Sequence, residues 1–181
     1  MLIGLLGYAR VGKDTMASAM MNFTQMSFAA PLKKEVQKML KASKLDPDVD
    51  FSIDSYKVKY RPMLVAWGAI KRAEDPDYWI KLLSISQNSV NTSDIVITDV
   101  RYKNEIDWIK SLGGKVILVA RPGYGPANDE EKKSFGEILN RGLKQIDHTI
   151  INDGTIHNFK EKVRLLVKKI RSESTGLASS I

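Results

Sequence analysis

The residues Gly7-Tyr8-Ala9-Arg10-Val11-Gly12-Lys13-Asp14-Thr15 carry the spacing G-x-x-x-x-G-K and follow directly on the apolar run Met1–Leu6. A glycine-rich turn between a buried strand and a helix lets successive main-chain N–H groups curl around phosphate oxygens. Lys13 adds a mobile ammonium charge, and the helix over Met16–Met21 offers its positive end to the same place. The position after such a lysine ordinarily holds Ser or Thr, whose hydroxyl binds Mg2+. Here Asp14 stands there, with Thr15 one place later. Gly7, Gly12, Lys13, Asp14 and Thr15 are therefore the first candidates for gripping a nucleotide's phosphates. The plainer alternative is a turn that only closes a strand-to-helix junction.

Further residues could act on the same ligand. Thr98-Asp99-Val100-Arg101 closes a β-branched run, so Asp99 sits at a strand tip, where a carboxylate can hold Mg2+ or its waters. Arg101 can grip phosphate bidentately. Alternatively, Asp99 caps a helix over Val100–Ser111, with Glu105 facing solvent. In Phe28-Ala29-Ala30-Pro31-Leu32-Lys33-Lys34, Lys33 falls in the first turn of a helix, against the macrodipole. An anion would explain it; so would plain solvation. Arg61, Arg72 and Trp79 form a looser set: Trp67 and Trp79 read as packing, and Gly68 marks either a kink or a close approach. Arg121 ends a strand and opens a charged segment with Asp129–Lys133 and Arg141, which reads as a phosphate-closing lid or as a surface helix. Lys132 and Lys133 individually favour the surface. His148 and His157 are isolated and receive no role.

The elements that must position these groups are legible as apolar runs of strand length: Met1–Leu6, Met26–Ala30, Asp94–Thr98, Lys115–Ala120 and Thr149–Ile151. Helical stretches separate them, which argues an α/β fold with a five-stranded parallel sheet flanked by helices. Such sheets bind ligands at the carboxyl ends of their strands, where the candidates fall. Leu45–Asp54 reads as a loop and Ser55–Asn88 as mostly helical, broken at Asp75-Pro76. The Ser-rich residues 172–181 are expected to be a disordered tail. The 181 residues suffice for one domain, expected over 1–171.

No apolar run approaches the roughly 20 residues that cross a bilayer, and the start lacks the pattern of a secretory signal. Cysteine is absent, which excludes disulfides and cysteine metal sites and fits a reducing cytoplasm. The net charge of +7 suits polyanionic ligands, but the basic residues form no single stripe and no aromatic-interleaved motif, which argues against nucleic acid.

Taken in order along the chain, these segments resemble the bacteriophage deoxynucleoside monophosphate kinases, within the P-loop nucleoside monophosphate kinases. The matching residues are Gly12-Lys13-Asp14-Thr15, Ala30-Pro31-Leu32-Lys33, Arg61, Gly68, Tyr78-Trp79, Asp99-Val100-Arg101 with Glu105, Gly113–Ile117, Val119–Gly123 and Ile151–Gly154. The Gly-Lys-Asp variant of the loop also resembles phosphomevalonate kinases. The resemblance implies a three-layer P-loop kinase fold, with an acceptor-binding helical region over about 45–90 and a lid over about 121–144. It implies ATP held by Gly7, Arg10, Gly12, Lys13, Asp14, Thr15 and Arg121, with Mg2+ at Asp14 or Asp99. The acceptor, a deoxynucleoside monophosphate, would lie against Leu32, Lys33, Arg61, Gly68, Trp79, Asp99, Arg101 and Glu105. Lys13, Asp14, Asp99 and Arg101 would carry γ-phosphoryl transfer in the cytoplasm, that of the host for a chain of phage origin; a homodimer stays open. The competing readings are a P-loop kinase for another phosphorylated acceptor, such as phosphomevalonate, and a non-catalytic nucleotide- or nucleic-acid-binding protein. A guanine-nucleotide switch would need an Asn-Lys-x-Asp signature that this chain lacks.

Overall fold

A computed structural model describes residues 1–88 and 94–176 of the chain. Its strands are β1 (Leu2–Leu6), β2 (Thr24–Met26), β3 (Ile95–Val100), β4 (Lys115–Ala120) and β5 (His148–Ile151). They form one sheet in the order β2-β3-β1-β4-β5. β1, buried along its whole length, pairs in parallel with β3 and β4, and β4 pairs in parallel with β5. A strand covered on both faces needs apolar side chains at every position. That is why the central strands stand out as unbroken apolar runs.

The chain divides into two compact units, residues 1–25 with 92–181, and residues 26–91. In the first, α1 (Lys13–Ala19) and α8 (Ile156–Gly176) cover one face of the sheet. Met16, Met20, Phe159, Val163 and Ile170 pack there on Ile3, Leu5, Val96, Ile117 and Val119. The intervening residue of β1, Gly4, points to the opposite face, where α6 (Lys103–Ser111) lies. A Cβ on Gly4 would come within 2.5 Å of Ile109 Cδ1, so the missing side chain is what seats that helix. Beside α6 packs α7 (Asp129–Gly142), burying Phe135 and Ile138. This is a three-layer α/β arrangement.

The second unit holds α2 (Ala29–Ala42), α3 (Asp54–Lys59), α4 (Arg61–Glu74) and α5 (Tyr78–Asn88). Its core joins Val36 and Leu40 of α2 to Val49 and Phe51 from the connecting loop, with Leu32, Met63, Leu64 and Trp67 against them. Glu35 ties three helices together. Its Oε2 accepts from Trp67 Nε1 at 2.8 Å and its Oε1 from the Tyr78 hydroxyl at 2.6 Å.

Several boundaries depart from expectation. The second strand is Thr24–Met26, not Met26–Ala30, because Phe28 is already in the helical region and Ala29-Ala30 open α2 ahead of Pro31. β3 runs on through Val100, so Asp99 lies inside the strand. α6 starts only at Lys103, with Tyr102 in the cap position, which removes Asp99 as a helix cap. Residues 172–176, expected to be disordered, continue α8, which Ile170 anchors in the core. Residues 177–181 of the expected tail lie outside the described residues.

Candidate functional site

The loop after β1 is bent at three positive-φ residues: Gly7 (φ +151°), Arg10 (+65°) and Gly12 (+108°). Only glycine fits at two of them. A Cβ on Gly7 would sit 2.3 Å from the Val119 carbonyl oxygen, and one on Gly12 would sit 2.6 Å from Asn152 Nδ2. Arg10 holds a left-handed turn that costs a side-chain-bearing residue about 1–2 kcal/mol. Side chains from later in the chain brace the loop. Ala9 N–H donates to Glu131 Oε1 at 3.0 Å, and Asn152 Nδ2 donates to the Val11 carbonyl at 3.0 Å.

Lys13 opens α1 and folds its ammonium back over the loop. Nζ donates to the carbonyl oxygens of Gly7 and Tyr8, each at 2.7 Å. Burial lowers its pKa, and the Arg101 charge lowers it further, against the opposing pull of Glu131, Asp14 and Asp99. The ends of β1 and β3 thus bring Lys13, Asp14, Asp99 and Arg101 into one electrostatic neighbourhood. A partly desolvated ammonium resting on neutral carbonyls is ready to exchange them for a phosphate oxygen, a charge-assisted and stronger partner.

Beside the loop lies a cleft of about 340 Å³. Arg10, Gly12, Lys13, Asp14 and Thr15 line one part of it; Arg121, Asn152, Gly154, Ile156 and Phe159 line the rest. The Arg121 guanidinium stacks on the Tyr124 ring at 4.6 Å. Asn152, Gly154 and Ile156 were not among the sequence-derived site residues. The signal for them was the Asn152-Asp153-Gly154 turn at the carboxyl end of β5, which entered the sequence reading as part of the family resemblance without a role in the site.

Arg101 is exposed at the end of β3. Glu105, by contrast, is 3% exposed, and its Oε2 accepts from the N–H groups of Arg101 (2.6 Å) and Tyr102 (3.0 Å). It neither faces solvent nor lines the cleft; it holds the Arg101 peptide and the start of α6. Glu131 also departs from the charged-surface reading, being 8% exposed, while Lys132 and Lys133 are exposed as expected. The Arg141 side chain lies outside the described residues.

The other acceptor candidates belong to the helical unit. Lys33 is the fifth residue of α2, so it falls in the second turn and not the first, where the opposing dipole is weaker. Arg61 is the exposed first residue of α4. Trp79 is 2% exposed and donates Nε1 to the Gly68 carbonyl at 3.3 Å. Gly68 marks a close approach, but of a side chain: a Cβ there would stand 3.3 Å from Leu32 Cδ2. Leu32, Gly68 and Trp79 therefore form a packed unit.

Among the described residues no group of three or more His, Asp or Glu side chains could cage a metal. Asp14 and Asp99 both act on Lys13, and Thr15 lines the cleft beside Asp14. One or two carboxylates suit magnesium, which keeps waters and takes further oxygens from a substrate's phosphates.

The family profile described as deoxynucleotide monophosphate kinase matches residues 69–163, more than half of the chain, and the profile described as phosphomevalonate kinase matches residues 5–115. A protein of Acanthamoeba polyphaga mimivirus, provisionally named a deoxynucleotide monophosphate kinase, is 30% identical over 90% of this chain and 93% of its own length. The deoxynucleotide monophosphate kinase of Enterobacteria phage T4 is 25% identical, covering 75% of this chain and 55% of its own length. The phosphomevalonate kinase of Drosophila melanogaster is 33% identical, covering 51% of this chain and 50% of its own. The chain thus spans nearly all of the mimivirus protein but about half the length of the other two. Among solved structures, TT1252 from Thermus thermophilus shares the fold with a TM-score of 0.51 at 15% identity, over 93% of this chain and 97% of that one. The loop that the first glycines bend, the arginine at the end of β3 and the full-length viral relative agree: this chain belongs to the deoxynucleotide monophosphate kinase family.

Proposed function

We propose that the chain transfers the γ-phosphoryl group of ATP to the 5′-phosphate of a deoxynucleoside monophosphate, giving a deoxynucleoside diphosphate and ADP. The observation that carries this reading is the cradle after β1, bent by Gly7 and Gly12, with the Lys13 ammonium resting on two loop carbonyls beside an open cleft. The names of the viral relatives support the choice of acceptor.

The acceptor oxygen is already anionic near neutral pH, so the reaction needs no strong general base. What it needs is alignment of two polyanions and neutralisation of the charge that gathers on the transferring group. Lys13 leaves the Gly7 and Tyr8 carbonyls for the donor phosphates, with Arg10 and Arg121 beside it. Within the sheet unit Arg101 is the residue for an acceptor phosphate; within the helical unit Lys33 and Arg61 are. Glu105 fixes the Arg101 peptide, and Leu32, Gly68 and Trp79 pack together within the helical unit. Asp14 and Asp99, with Thr15, are the residues that would hold Mg2+, which when bound supplies charge neutralisation at the phosphates. Residues 121–144 close over the donor and shed water. The absence of cysteine suits a cytoplasmic setting.

The test is ADP formation by the purified chain with ATP, Mg2+ and each deoxy- and ribonucleoside monophosphate in turn. Sustained turnover with at least one deoxynucleotide is expected. The match of residues 5–115 to the phosphomevalonate kinase profile favours a second reading, so phosphomevalonate belongs in the same panel. Turnover with it alone would transfer the assignment there, and background rates with every acceptor would overturn both.

A further inference from the structure

Arg10 adopts its positive φ between two peptides that are each gripped by a distant side chain: Glu131 takes the Ala9 N–H, and Asn152 holds the Val11 carbonyl. A strained turn in a residue other than glycine persists only where its surroundings over-determine it. The Asn152 clasp comes from the sheet. The Glu131 clasp comes from α7, in the segment read as a lid.

Glu131 does more than cap the start of a helix. Asn128-Asp129-Glu130-Glu131 has the form of a capping box, and Asn128 Oδ1 does accept from the Glu131 N–H at 2.8 Å. In a closed box the glutamate would return to the N–H of the capping residue itself. Here Oε2 accepts from Ala127 N–H at 2.7 Å, while Oε1 crosses to Ala9. A glutamate 8% exposed needs its oxygens bonded, and both are. One turn further along α7, Phe135 lies against Tyr8 with ring centroids 4.3 Å apart. The two residues ahead of Arg10 are thus both seated on α7.

We propose that Glu131 is a positioning residue of the ATP site: by fixing the Ala9 peptide it keeps Arg10 in the left-handed turn the loop requires, and so makes the grip on phosphate depend on the seating of α7. Glu131 touches no substrate and acts through main chain. The inference rests on the donor-site reading above.

ATP affinity, measured by calorimetry on the full chain, tests it through a mutant cycle. Glu131→Gln should weaken ATP binding about tenfold. In an Arg10→Gly background the same change should cost no more than about twofold, because glycine takes a positive φ without a clasp. Glu130→Gln removes the same charge from the adjacent position, whose carboxylate accepts instead from the Tyr102 hydroxyl, and should leave affinity within about twofold. Should Glu131→Gln fail to fold, Glu131→Asp, one methylene too short for Ala9, takes its place and the same two ratios decide. Equal losses in both backgrounds would reduce Glu131 to a cap of α7 and overturn the inference. So would an unaltered affinity in the native background. An unmodified chain that gives no heat with ATP overturns the donor-site reading, and this inference with it.

Discussion

Lys13 has two carbonyl partners at 2.7 Å and a pKa below the ordinary lysine value of 10.5, with burial the leading cause. A cation whose folded pKa is lowered opposes folding while it stays charged, and the opposition fades as pH rises through that lowered pKa. Lys13→Met is expected to cut turnover by roughly a hundredfold or more, while at pH 7 relief of the buried charge and loss of its two carbonyl bonds offset each other and leave Tm nearly unchanged. As pH rises toward the ordinary lysine value, the native chain should gain Tm relative to the variant; a constant difference would contradict the depressed pKa. Gly7→Ala is a harsher change, since its Cβ would meet main chain at 2.3 Å at a φ that disfavours side chains. A loss of about 3 kcal/mol or more is expected in urea unfolding. At this scale the glycines and Lys13 were legible because their spacing is itself the chemistry. Glu131 was not, because its acidic neighbours Asp129 and Glu130 hid the fact that it shares a helix face with Phe135 and Ile138. That 4-then-3 spacing was the available signal.

Among the elements, the turn before β5 is held by Asp147. Its Oδ1 and Oδ2 both accept from Lys110 of α6 at 2.8 Å, Oδ1 also accepts from Lys115 of β4 at 3.3 Å, and Oδ2 takes the Val116 N–H at 2.8 Å. Burial pushes this carboxyl up, but the bonds from Lys110, Val116 and Lys115 outweigh it and hold it below the ordinary value. A depressed carboxyl stabilises the fold above its unfolded pKa, and that contribution is lost as pH falls through the folded pKa. Asp147→Asn should therefore cost about 1–2 kcal/mol near neutral pH, a few degrees in Tm, and the gap should close in acid. A gap that persists at low pH would show that packing, and not charge, holds the turn. The central strands and α2 were legible from apolar runs and from Pro31. The ends of β2, β3 and α8 were not, because where a strand stops or a helix continues is decided by tertiary partners, such as the seat of Ile170, that no local pattern records.

For the molecule as a whole, binding to the folded state must appear as added stability. With ATP at a hundred times its dissociation constant, unfolding should become harder by about 2.7 kcal/mol, visible as a rise in Tm. Duplex DNA should give no such rise at physiological salt; a strong, steeply salt-dependent shift with DNA and none with ATP would restore the nucleic-acid reading of the +7 charge. The α/β class was legible from alternation of strand and helix, whereas the start of the helical unit at residue 26, well ahead of Leu45, required contacts. That unit is one uninterrupted stretch of chain, entered at the last residue of β2 and left before β3. A gene with this layout can exchange that helical stretch by recombination at two breakpoints, leaving the codons for the phosphate loop and for α7 intact on either side.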